Sequence, residues 1–167
     1  MTTESPERRL AGFIANYSPE VARVARAARG KLRSLLPGAL ELVYDNYNAL
    51  AIGFSPTERA SDAILSIALY PRWVSLFFLR GVGLPDPAGL LRGTGSRVRS
   101  IVIEGPSLLD SGGVRQLIKA AVAAHPVTLD AGQRRRLIIK SVSAKQRPRR
   151  SGGSGGRRTP IRPPGIN

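Results

Sequence analysis

The stretch from Ala63 to Leu79, AILSIALYPRWVSLFFL, decides the fold class. Its 17 residues approach the length of a membrane-spanning helix. Pro71 and Arg72 stand at its middle, however, and a charge at the centre of a bilayer is costly. Two strands joined by a turn at Tyr70-Pro71-Arg72 account for it better. Leu65, Ile67 and Leu69 then share one face of the first strand. Val74, Leu76 and Phe78 share one face of the second, with Trp73, Phe77 and Leu79 on its other face. Apolar residues on both faces predict interior positions in a sheet.

Working outward, ALELVYD (39–45), the turn NYN and ALAIGF (49–54) read as a preceding hairpin. Before it lie two helices. Ser5-Pro6 opens the first, through about Tyr17. Ser18-Pro19-Glu20 opens the second, with a serine N-cap, a proline in the first turn and an acid near the positive end of the dipole. Val21, Val24, Ala28, Leu32 and Leu35 form its apolar stripe, and Arg23, Arg26, Arg29 and Arg33 fill another face. Pro37-Gly38 ends it near Leu36. Downstream, GLPDPAG (83–89) is a loop, followed by a brief helical turn at Leu90-Leu91 and a strand RSIVIE (99–104). Asp110 or Ser111 caps a helix with Val114, Leu117, Ile118, Ala121 and Val122 as its stripe. A last strand, RRLIIKS, closes the body near Ser143. The order α-α-β-β-β-β-β-α-β predicts an α+β fold: a mainly antiparallel sheet of five to six strands with helices packed on one face.

The net charge of +15 is unevenly spread. Residues 1–130 carry 15 Lys and Arg against all 11 acids, whereas residues 131–167 carry 11 Lys and Arg and no acid. The segment 145–167, KQRPRRSGGSGGRRTPIRPPGIN, has too few apolar residues to offset the entropy of ordering, so a domain over 1–144 and a disordered basic tail are expected. Lys145, Arg147, Arg149, Arg150, Arg157, Arg158 and Arg162 would then act as mobile cations. Such an arm attracts phosphate backbones by counterion release, without reading bases. A solubilising arm or a contact with an acidic protein would use the same composition. The chain has no cysteine, which excludes disulfides, a thiol nucleophile and thiolate metal sites. MTTESPERRLAGF lacks the pattern of a secretory signal, so the cytoplasm is expected.

LRGTGSRVRS (91–100) has the look of a phosphate loop. A phosphate cradle, however, runs from strand through glycine turn to helix, and here the glycines precede a strand. Gly93 and Gly95 lack the third glycine of the dinucleotide fingerprint and the Lys-Ser/Thr of a P-loop. One of them is expected at positive φ in a turn. Arg72, Arg92, Arg97 and Arg99 together with Gly93 and Gly95 form a weak anion-binding candidate, with Arg97 and Arg99 on one face of the following strand.

Tyr44, Asp45 and Tyr47, in YDNYN, could line a pocket with Trp73, although Asp and Asn also suit a turn. Trp73 beside Arg72 could stack a ligand or base. His125 is the sole histidine, at the end of a helix, and no Ser or Asp stands out as its partner. No catalytic residue, metal ligand or cofactor site is assigned.

Several stretches carry a resemblance: VYDNYNALAIGF, AILSIALYPRWVSLFFL, LPDPAGLLRGTGSRVRSIVI and RLIIKSVSAKQRPRR are similar to the bacterial YdhG-like family of unknown function, over about residues 10–150. The resemblance implies a compact frataxin-like sandwich. It also implies, through some members, an iron chaperone serving cluster or haem assembly. Iron binding of that sort resembles an acidic ridge along the first helix and first strand. Here the first two helices carry Glu4, Glu7 and Glu20 against six arginines and Lys31, so no metal residue is carried over. Three functions follow as expectations. The first is a non-catalytic binding domain with affinity for nucleic acid or another anionic polymer. The second is an iron-binding chaperone. The third is an enzyme acting on a small phosphorylated ligand near Arg72, Arg92 and Arg97.

Overall fold

In a computed structural model, residues 4–151 are described. Their order is α1 (Pro6–Ala15), α2 (Pro19–Leu35), β1 (Leu40–Asp45), β2 (Leu50–Ser55), β3 (Leu65–Leu69), β4 (Val74–Phe78), β5 (Arg99–Ile103), α3 (Gly112–Ala124) and β6 (Leu137–Val142). The caps form where the sequence places them. Ser5 Oγ accepts from Arg8 N and Ser18 Oγ from Val21 N, both at 3.3 Å, and Ser111 rather than Asp110 caps α3 by accepting from Val114 N.

The six strands form one sheet in the order β5-β4-β3-β2-β1-β6. All neighbours are antiparallel except β1 and β6, which run parallel, so the last strand returns to lie beside the first. The fold is α+β, and β3 and β4 hold the interior positions that their sequence demanded. The register sorts the side chains cleanly. Val43, Ile52, Ile67, Leu76 and Ile101 form one row on the helix-bearing face, and Leu50, Leu69, Val74 and Ile103 extend it. Leu10 and Ile14 of α1, Ala25, Ala28 and Leu32 of α2, and Val114, Leu117 and Ile118 of α3 bury against that face in a single core. The opposite face carries smaller groups at its centre: Ala51, Gly53, Ser66, Ala68 and Ser75.

Two expected features differ. Leu90 and Leu91 form no helical turn. Their backbone N–H groups donate to the Asp86 carboxylate at 2.8 and 2.9 Å, which satisfies them without helix formation. The other difference is at the C-terminus. Disorder from Lys145 onward does not hold for 145–151: Arg149 is only 8% exposed. Ser143 N donates to Asp45 O, Arg147 N to Tyr47 O, and Arg150 to the carbonyls of Asn16 and Ala15 at the end of α1. The arm is ordered by polar anchors, which a count of apolar residues does not register. Arg157, Arg158 and Arg162 lie outside the described residues. Among the described residues, no helix is long and apolar enough to cross a membrane.

Candidate nucleic-acid interface at the hairpin end

One face of β1 carries Glu41, Val43 and Asp45 toward the helices. Both carboxylates are buried there, and each is met by an arginine. The Arg29 guanidinium of α2 donates from Nε and Nη2 to Glu41 at 2.6 and 3.1 Å, and from Nη2 to Glu7 of α1 at 2.8 Å. Arg33 Nε stands 3.3 Å from Glu41 as an ion-pair neighbour, without hydrogen-bond alignment. Burial works against the charge on Arg29, but its bonds to Glu41 and Glu7 outweigh it and raise its pKa. The basic face of α2 expected from the sequence is therefore divided. Arg29 is turned inward, Arg23 pairs with Glu20, and Arg26 remains exposed.

At the other end of β1, Arg149 Nη2 donates to Asp45 at 2.8 Å, and the same guanidinium donates to the carbonyls of Asn46 and Tyr47. It also lies over the ring of Tyr17, 5.5 Å from the centroid. Tyr17 Oη accepts from Leu50 N at 3.0 Å, and burial pushes its hydroxyl up to about 12 despite the nearby Arg149. Asp45 is thus a socket for the C-terminal arm rather than the wall of an open pocket.

The docked arm ends beside aromatic groups. The β1–β2 tip carries Tyr47, 49% exposed, with the Arg147 guanidinium over its ring at 5.6 Å. The β3–β4 tip lies at the same end of the sheet, because Leu50 pairs with Leu69 and Leu69 with Val74. There Tyr70 N donates to Trp73 O at 2.9 Å, and the two rings stack with centroids 4.6 Å apart and planes 18° from parallel. Arg72 occupies the turn between them. Burial raises the hydroxyl pKa of both Tyr70 and Tyr44. The register puts Tyr44 on the sheet face opposite the helices, whereas Trp73 lines a cleft with Glu20, Val21 and Val24 of α2; among the described residues, Tyr44 Oη and Trp73 Nε1 are buried without a hydrogen-bond partner. Of the four pocket candidates, Tyr44, Tyr47 and Trp73 therefore gather at one end without forming a single cavity, and Asp45 points the other way.

The arm itself carries no aromatic residue, yet Lys145 and Arg147 share this end with Tyr47, Tyr70 and Trp73. No local signal in the sequence marks this, since the two hairpins and the arm are far apart along the chain.

The glycine-loop candidate comes apart. Arg92 Nη1 donates to Gly89 O at 2.7 Å, and Arg99 Nη1 to Gly95 O and Val98 O at 2.6 and 2.8 Å, so both guanidiniums brace their own loop. Arg97 precedes β5 instead of sharing a strand face with Arg99. Arg72 and Arg97 sit at opposite ends of β4, because Val74 pairs with Ile103 and Phe78 with Arg99. Gly93 takes the positive φ of 126° and Gly95 does not. His125 is buried, with Nδ1 engaged by the backbone of Val127. Among the described residues, no three of His, Asp and Glu gather as metal ligands would. No family model, curated protein or solved structure matches the chain.

Proposed function

We propose that this protein is a non-catalytic cytoplasmic binding domain for single-stranded nucleic acid, engaged at the hairpin end. The observation that carries this reading is the meeting of the Tyr70–Trp73 stack and Tyr47 with Arg72, Lys145 and Arg147 at one end of the sheet. Single-strand binders combine cations that follow the phosphate backbone with rings on which bases stack. Cations alone give affinity without a base contact. Kinship with YdhG-like proteins belongs to the same proposal.

Trp73 is the one tryptophan, so its emission reports on this surface alone. Titrating a short single-stranded RNA or DNA should change that emission saturably near physiological salt. Double-stranded DNA should bind more weakly, because its bases are not available for stacking. Binding with no change in Trp73 emission and no loss on Trp73→Ala would place the nucleic acid elsewhere. An absence of binding at low salt would end the reading.

A further inference from the structure

We propose that the cleft between the Ala60–Asp62 turn and the β4–β5 connection binds a phosphate monoester group, held by Arg80 and Arg97 with the Ser61 hydroxyl. The cleft lies at the opposite end of β4 from the hairpin interface, and this inference does not rest on that reading. It has a volume of about 190 Å³ and is lined by Ser61, Ala63, Leu79, Arg80, Arg97 and Val98.

Both arginines line this cleft, and the backbone ties their segments together. Val82 N donates to Arg97 O at 3.1 Å, which ties the segment after Arg80 to the segment before β5. Gly81 lies so close to β5 that a Cβ there would come within 2.5 Å of Arg99 Cβ and 2.8 Å of Arg99 N. That close approach holds the segment carrying Arg80 against the segment carrying Arg97 and Arg99. Neither guanidinium has a hydrogen bond or ion pair among the described residues, in contrast to Arg92 and Arg99 of the same region. Of the nearby acids among the described residues, Glu58 pairs with Arg136 at 2.6 Å, and Asp62 accepts from Thr57 Oγ1 at 2.7 Å and forms no ion pair with either arginine. Two like charges lining one cleft, neither paired with a carboxylate, repel each other, and a bound anion lowers that cost.

The chemistry favours phosphate. Planar guanidiniums match its oxygens in bidentate fashion. A monoester carries nearly two negative charges at neutral pH against one for a diester, and two arginines supply the matching pair. Ser61 adds a neutral donor at the rim.

The test uses the full chain, labelled with nitrogen-15 and titrated with inorganic phosphate and with glycerol phosphate, with chloride matching ionic strength. Saturable amide shifts confined to Ser61, Arg80 to Val82, and Arg97 to Val98 are expected. Arg80→Ala and Arg97→Ala should each weaken binding at least tenfold, and Arg134→Ala, an exposed arginine away from the cleft, should leave it unchanged. Thermal melts establish that each variant folds. Comparing a 5′-phosphorylated with a 5′-hydroxyl oligonucleotide tells a nucleic-acid end from a small phosphorylated molecule as the source of the group. Shifts that stay linear with concentration, or that survive Arg97→Ala in a folded protein, overturn the proposal.

Discussion

Arg149 and Asp45 stand 104 residues apart in the chain and 2.8 Å apart in the fold, with side chains only 7% and 5% exposed. A charge in that position is tolerated because every direction around the guanidinium offers something: a carboxylate, two carbonyls and an aromatic face. Removing either partner strands the other, and a stranded buried charge costs about 3–5 kcal/mol. Arg149→Ala and Asp45→Ala should each lower stability by about that much in urea denaturation, with a double variant far from additive. Ending the chain at Ala144 should destabilise the body similarly. An unchanged midpoint in the shortened chain would show that the arm contributes nothing to the fold.

Glu41 is the second carboxylate of β1 that holds a distant element. It fastens α2 through Arg29, and Arg29 reaches on to Glu7 of α1. Glu41→Ala should cost about 3 kcal/mol, because Glu7 leaves Arg29 partly compensated. Hydrogen exchange should show the loss as earlier opening of α1 and α2.

Tyr17 gives the fold a limit in alkali. Its hydroxyl is held at about 12 in the native state against an ordinary value of 10.0. Between those values the native protein keeps a proton that the unfolded chain has lost, so stability falls as pH rises through that window. The full difference corresponds to about 2–3 kcal/mol. Urea midpoints measured from pH 9 to 12 should fall steeply in the wild type and less steeply in Tyr17→Phe.

Gly38 admits no side chain. Its φ is +83°, and a Cβ there would overlap the carbonyl oxygen of Asp130. Gly38→Ala should destabilise by about 2–4 kcal/mol through combined strain and displacement of the loop before β6. A melting temperature equal to that of the wild type would contradict the close approach.

At the hairpin interface, Arg72→Ala and Lys145→Ala should each reduce the logarithmic salt slope of RNA binding by about one, with little sequence preference. Trp73→Ala should instead weaken binding by about 1–3 kcal/mol and leave the salt slope unchanged. Anisotropy titrations at several salt concentrations separate the two effects.

Periodicity made the elements legible. Leu65, Ile67 and Leu69 against Val74, Leu76 and Phe78 specified two interior strands, and Ser18-Pro19-Glu20 specified where α2 begins. What periodicity cannot express is which polar residue turns inward. Arg29 has the same spacing as Arg26 and a different fate, decided by Glu41 on a strand it meets only after folding. Arg149 sits in a segment whose composition reads as disordered, and one guanidinium surrounded by acceptors orders it. Of the anion candidates, Arg97 keeps an open side chain. Its neighbour Arg80 was missed because the β4–β5 connection that brings the two together leaves no local pattern.

The parallel pairing of β6 with β1 carries a kinetic consequence. Val43 finds its neighbour Ile139 only at the end of a long excursion of chain, which makes this the most non-local pairing of the sheet and the one with the largest closure entropy to overcome. Until then β1 presents an unpaired edge with Leu42 and Val43 upon it, open to association with other chains. During synthesis from the N-terminus, that exposure ends only when residues 137–142 have been made. Substitutions that weaken β6 should therefore appear first as aggregation of newly made protein, ahead of any measurable loss in the stability of molecules already folded.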